Sequence, residues 1–117
     1  MDDVTIYYYD GCPTCRSARS IIEGEGLKPR IIDYMEKERL TKSGLLELLK
    51  KVGMSARELL RKKAPIYDEL VLDDPKWSDE QIVDLMLEHP ELISRPIVIT
   101  GKGTRLCRPA EVVKELL

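Results

Sequence analysis

The sequence predicts an α/β fold in which a β-α-β half and a closing β-β-α half are separated by a helical insertion. Three observations carry this. A β-branched run, a turn and an amphipathic helix pattern follow one another within about thirty residues; a long central stretch has only helical periodicity; and a glycine-centred hairpin pattern precedes the last short helix.

Val4-Thr5-Ile6-Tyr7-Tyr8-Tyr9 has strand composition and stops at the turn Asp10-Gly11. Ala18, Ile21 and Ile22 then give one apolar helix face, which Gly24 and Gly26 end. Pro29-Arg30-Ile31-Ile32-Asp33-Tyr34 reads as a second strand. Strand, helix, strand at this spacing fits a right-handed unit with parallel strands.

The insertion spans approximately residues 36–92. Leu45, Leu48, Leu49 and Val52 repeat at helical spacing, and Ser55 with Glu58 and Ser78 with Gln81 match the capping box, so further helices are expected to begin at those serines. Ile82, Leu85 and Met86 supply the last of them with an apolar stripe. Ile97-Val98-Ile99-Thr100 and Thr104-Arg105-Leu106-Cys107 flank Gly101-Lys102-Gly103 as a hairpin, and Pro109 suits the first position of a closing helix that buries Val112, Val113 and Leu116.

A chain of 117 residues can bury one core, and the whole is expected to form a single domain. With 19 basic and 21 acidic residues the net charge is -2, which argues against a nucleic-acid binder. No apolar run nears the ~18 residues of a membrane span, and Met1-Asp2-Asp3 lacks a secretory n-region, so a cytoplasmic protein without a membrane partner is expected. Three cysteines in a reducing compartment point to free thiols.

Cys12-Pro13-Thr14-Cys15 opens the first helix directly after the first strand, where a CxxC reads as a redox motif. Unpaired N–H groups and the helix dipole favour a thiolate at that cap, which makes Cys12 the nucleophile and places Cys15 one turn inside. A zinc site would need four ligands, and only Cys107 and His89 remain, so no metal is expected. Cys107, at a strand end, reads as a packing residue, and His89 before Pro90 as a helix-terminal one.

The N-terminal strand and Cys12, Ala56-Arg57-Glu58-Leu59-Leu60-Arg61-Lys62-Lys63, Arg95-Pro96-Ile97-Val98-Ile99-Thr100 and Gly103-Thr104-Arg105-Leu106-Cys107-Arg108-Pro109 together resemble the glutaredoxin-linked bacterial arsenate reductases, the ArsC family, related to Spx-type proteins. The resemblance implies a thioredoxin-like fold, attack of Cys12 on arsenate, oxyanion binding by Arg61, Arg95 and Arg108, and a cis-proline at Pro96 close to the site. It implies no bound cofactor, glutathione as co-substrate and glutaredoxin as partner, with thioredoxin as the alternative donor. The chemistry agrees: planar guanidinium groups bind tetrahedral oxyanions bidentately and neutralise the repulsion a thiolate meets on approaching one.

Two departures stand out. Tyr8 occupies a position where some members carry a thiolate-supporting His, and Cys15 offers a resolving thiol that the better-known members lack. Cys15 is also what an Spx-like regulator of RNA polymerase, switched by a disulfide, would carry. A general thiol–disulfide oxidoreductase would use the same CxxC, but neither alternative explains three arginines.

Overall fold

The computed structural model describes residues 3–35 and 40–117. Its two compact units are Met1–Glu38 with Arg95–Leu117, and Arg39–Ser94. The expected start of the insertion at residue 36, like Met1 and Asp2, lies outside the described residues.

The sheet unit holds β1 (Thr5–Tyr7), α1 (Pro13–Gly24), β2 (Arg30–Ile32), β3 (Ile97–Thr100), β4 (Gly103–Leu106) and a closing 3-10 helix, Ala110–Leu116. Strand order is β2-β1-β3-β4, with β1 parallel to β2, and β1/β3 and β3/β4 antiparallel. This is the mixed sheet of a thioredoxin-like fold. Alternation along β1 puts Val4, Ile6 and Tyr8 into one core with Val98, the register partner of Ile6. Cys12, Cys15, Ala18 and Ile22 of the α1 segment and Ala110, Val113 and Leu116 of the closing helix complete that core.

β1 and β2 are shorter than their apolar runs. Single backbone bonds, Arg30 N–H to Val4 O at 2.7 Å and Tyr8 N–H to Ile32 O at 2.9 Å, carry the pairing just past their ends. The closing helix also differs from expectation. It is 3-10, with bonds such as Val112 N–H to Pro109 O at 3.1 Å, and Pro109 is its cap rather than its first residue.

The helical unit contains α2 (Lys42–Val52), α3 (Ala56–Leu59), α4 (Pro65–Glu69), α5 (Asp79–Glu88) and a 3-10 turn, Pro90–Leu92. Thr41 caps α2 through Gly44 N–H at 3.1 Å. Both expected capping boxes are present: Ser55 with Glu58 opens α3 and Ser78 with Gln81 opens α5, all four bonds falling between 2.9 and 3.2 Å. Leu45, Leu48, Leu49, Leu59, Ile82, Val83, Met86 and Leu92 are among its buried apolar residues. Among the described residues this unit has one isolated bridge, Leu60 with Ile93, and no strand. His89 caps the end of α5, as its place before Pro90 suggests.

Candidate active site

The chain leaves β1 through a tight turn in which Cys12 N–H bonds Tyr9 O at 3.0 Å. Cys12 has extended backbone angles and caps α1, with Pro13 as the first helical residue and Arg16 N–H returning to Cys12 O at 3.1 Å. Proline has no N–H to lose there, and the Cys15 N–H serves the Cys12 sulfur.

Both thiols are buried and free, Cys12 with 5% exposure and Cys15 with none. Their acidities diverge. Burial pushes Cys12 up, but hydrogen bonds from the Cys15 backbone and thiol, and then the Arg95 guanidinium, outweigh it and hold Cys12 at about 7. Burial pushes Cys15 up to about 12, and the neighbouring Cys12 adds to the effect. One thiolate and one thiol hydrogen-bonded to it therefore share the α1 N-terminus at physiological pH.

Arg95 is the one buried charged side chain among the described residues, 5% exposed. Burial disfavours its charge, yet Tyr34 and Cys12 raise its pKa above the ordinary value. Its guanidinium carbon lies 4.9 Å from the centroid of the Tyr9 ring, and Tyr34 and Cys12 act on it electrostatically. Nε and Nη1 are buried without a hydrogen-bond partner. Leaving charged donors unmet away from water is expensive, and an anion bound beside Cys12 would satisfy them. Arg108, exposed at the end of the hairpin, donates from Nη1 to Arg95 O at 3.0 Å. The Arg95–Pro96 and Arg108–Pro109 bonds are both cis.

The sheet unit thus gathers Cys12, Cys15, Arg95, Pro96 and Arg108. Arg61 belongs to the helical unit, where its N–H bonds Leu92 O at 2.7 Å and its side chain is half-buried. Cys107 is fully buried, its Sγ 3.7 Å from Arg105 O and its thiol pushed up to about 11 by burial. It packs, as its strand-end position suggests. Tyr8 OH donates to Asp10 Oδ1 at 3.0 Å, and burial followed by this carboxylate raises its pKa, so it is a neutral phenol tied to the turn. Arg57, a neighbour of Arg61 with no role evident in sequence, donates to the carbonyls of Leu72, Asp74 and Trp77 at 3.1, 3.3 and 2.8 Å. Sequence reasoning missed Tyr9 and Tyr34 altogether. Their aromatic character in and beside apolar runs looked like strand filling, and nothing local pointed to Arg95.

A low-pKa cysteine capping a helix, a second thiol behind it and a buried guanidinium beside it on a mixed four-stranded sheet define a thioredoxin-like thiol protein. The chain belongs to the ArsC family, whose model matches residues 7–116. It is 46% identical over 117 residues to the arsenate reductase of Escherichia coli (strain K12), spanning all of this chain and 82% of that protein. It is 41% identical over 114 residues to the arsenate reductase of Rhizobium meliloti (strain 1021), spanning 97% and 81% of the two. The solved structure of the arsenate reductase from Vibrio cholerae superposes with a TM-score of 0.91 at 35% identity, over 98% of each chain.

Proposed function

We propose that this protein is an arsenate reductase in which the Cys12 thiolate attacks arsenic and Arg95, Arg108 and Arg61 hold the oxyanion. The observation that carries the reading is Arg95: a buried guanidinium beside a thiolate of pKa about 7, with two nitrogens unpartnered. Arg108 supports it by its bond to the Arg95 carbonyl, while the part given to Arg61 rests on family resemblance.

Arsenate is a charged tetrahedral oxyanion, so the thiolate meets repulsion that the guanidinium groups offset as the S–As bond forms and an arsenate oxygen leaves as water. A second thiol sulfur then attacks Cys12 sulfur. The S–As electron pair passes to arsenic, which departs as arsenite, and the two sulfurs are left as a disulfide. With glutathione the product is a mixed disulfide on Cys12, which glutaredoxin reduces; with Cys15 it is an internal disulfide, reduced by a thioredoxin-type dithiol. The high pKa and full burial of Cys15 favour the glutathione route. The reaction needs no resident cofactor and belongs in the reducing cytoplasm; no helix among the described residues is long and apolar enough to cross a membrane.

The test is arsenite production by purified protein, supplied in parallel with glutathione plus glutaredoxin and with thioredoxin. Turnover in the first arm with Cys15→Ser still active supports the glutathione route. Turnover that stops in Cys15→Ser with a trapped Cys12 adduct supports the internal one. Silence in both arms overturns the reductase reading in favour of an Spx-like switch.

A further inference from the structure

The long Arg95 side chain must hold one geometry for its charge to act on both Cys12 and an oxyanion, and an arginine carries about 2 kcal/mol of rotamer entropy. Two side chains outside the reacting set fix it.

Tyr9 follows β1, and its ring lies across the guanidinium with 4.9 Å between the guanidinium carbon and the ring centroid, within the range of a cation–π contact. Gly11 makes room for this ring. A Cβ on Gly11 would stand 2.7, 2.9 and 3.0 Å from Tyr9 Cε2, Cζ and Oη, so any side chain there would displace the ring from its place beside the cysteine turn. Tyr34, just past β2, is 1% exposed, and its ring is tilted 57° against that of Tyr7 with centroids 6.3 Å apart. Its hydroxyl and the Arg95 guanidinium act on each other electrostatically, each favouring the other's charged form. The guanidinium carbon sits over the Tyr9 ring, and Nε and Nη1 remain without hydrogen-bond partners.

The chemistry of this clamp matters as much as its shape. Burial keeps Tyr34 protonated far above physiological pH, so it meets the Arg95 guanidinium without bringing a negative charge. A carboxylate in its place would neutralise Arg95 and compete with the oxyanion. A phenol oxygen and an aromatic face orient the cation while leaving its charge for the thiolate and the ligand.

We propose that Tyr9 and Tyr34 are positioning residues that clamp Arg95 and, through it, set both the acidity of Cys12 and the affinity of the site for its oxyanion. This rests on the arsenate reading for the identity of the ligand, but the effect on Cys12 does not. Titrating thiolate absorbance reads the clamp without substrate. Tyr34→Phe, which keeps the ring and its packing, is expected to raise the Cys12 pKa by about one unit and to lower kcat/KM for arsenate roughly tenfold, chiefly through KM. Tyr9→Leu should act in the same direction, while Tyr9→Phe, which retains the π face, should behave as wild type. In an Arg95→Met background, Tyr34→Phe should leave the Cys12 pKa where Arg95→Met alone puts it, since the clamp would have nothing to hold.

A Tyr34→Phe protein that loses thermal stability but keeps the wild-type Cys12 pKa and kcat/KM would make Tyr34 an ordinary core residue and end the proposal. So would a pKa shift of the same size with Arg95 already gone, because Tyr34 would then act on the thiol directly. Absence of arsenate turnover in the wild type would instead remove the ligand assignment, and the titrations would still decide the clamp.

Discussion

The two units solve different problems with similar residue types. In the sheet unit an arginine is buried with donors unmet, two thiols sit side by side with divergent acidities, and the stabilised species is a charge. In the helical unit the corresponding arginine, Arg57, is satisfied by three backbone carbonyls, and the caps at Thr41, Ser55 and Ser78 meet helix N–H groups with side-chain oxygens. A saturated guanidinium holds a loop, whereas an unsaturated one waits for a ligand. Charge alone would not have separated the two arginines; burial and the count of partners do.

The largest expected effect lies in the sheet unit. Cys12→Ser should abolish arsenate reduction, because a serine hydroxyl is neither ionised near neutrality nor able to enter a disulfide. Wild-type turnover should rise as pH passes through about 7, where the thiolate forms, and level off above it. A rate independent of pH across that range would place the titrating nucleophile elsewhere.

Next come the oxyanion arginines. Arg95→Lys should cost about 3 kcal/mol of transition-state stabilisation, roughly a hundredfold in rate, since lysine offers one ammonium in place of a planar fork. Arg108→Lys and Arg61→Lys should approach the same loss with little change in melting temperature. Arg61→Lys is the sharpest of the three for the comparison drawn above. A hundredfold loss there would give the helical unit a share in the chemistry, and a wild-type rate would confine the chemistry to the sheet unit.

Arg57→Lys should do the reverse. A lysine cannot reach three carbonyls at once, so the loop they belong to should loosen and stability fall by about 1–3 kcal/mol with kcat/KM retained. Thermal unfolding beside arsenate kinetics checks both halves. An Arg57→Lys protein that is stable but inactive would erase the distinction between the two arginines.

Much of this was legible in sequence because the signals were local. A capping box needs residues three apart, an amphipathic helix shows in one window, and the cap cysteine follows from a strand running into a CxxC. Strand ends were less legible, since pairing partners decide where a ladder stops: β2 keeps only Arg30–Ile32 of its longer apolar run. Short α4 begins with Pro65 after Ala64, a proline signal that the surrounding charged residues obscured. The clamp on Arg95 could not be read at all. Tyr34 and Arg95 are about sixty residues apart, and only the fold brings them together.

The smallest expected effect concerns how helices end. α1 closes at Gly26 and α2 at Gly53, with φ of 81° and 73°, in the left-handed region where glycine carries no Cβ penalty. α4 closes in the same manner at Val71, φ 53°. Leu72 N–H returns to Tyr67 O at 3.0 Å and Val71 N–H to Asp68 O at 3.1 Å, the paired bonds of a Schellman motif, which require that left-handed residue. A β-branched side chain is the least suited to it, at a cost of about 1–2 kcal/mol. The Val71 side chain is 54% exposed, so little burial is lost with it. Val71→Gly should therefore relieve the strain, less about 0.4–1 kcal/mol for the added freedom of the unfolded chain. The balance is a gain of about 0.5–1 kcal/mol, or roughly 2–4 °C in melting temperature for a domain of this size. Val71→Ala is the control, because it removes the same exposed methyl groups but keeps a Cβ in the left-handed region, and it should recover only a small part of the gain. If Val71→Gly melts below wild type while Val71→Ala does not, the unfolded-state entropy outweighs the strain at this turn. If both melt lower, the exposed valine itself holds the α4 terminus, and the rule that glycine belongs there fails for this helix.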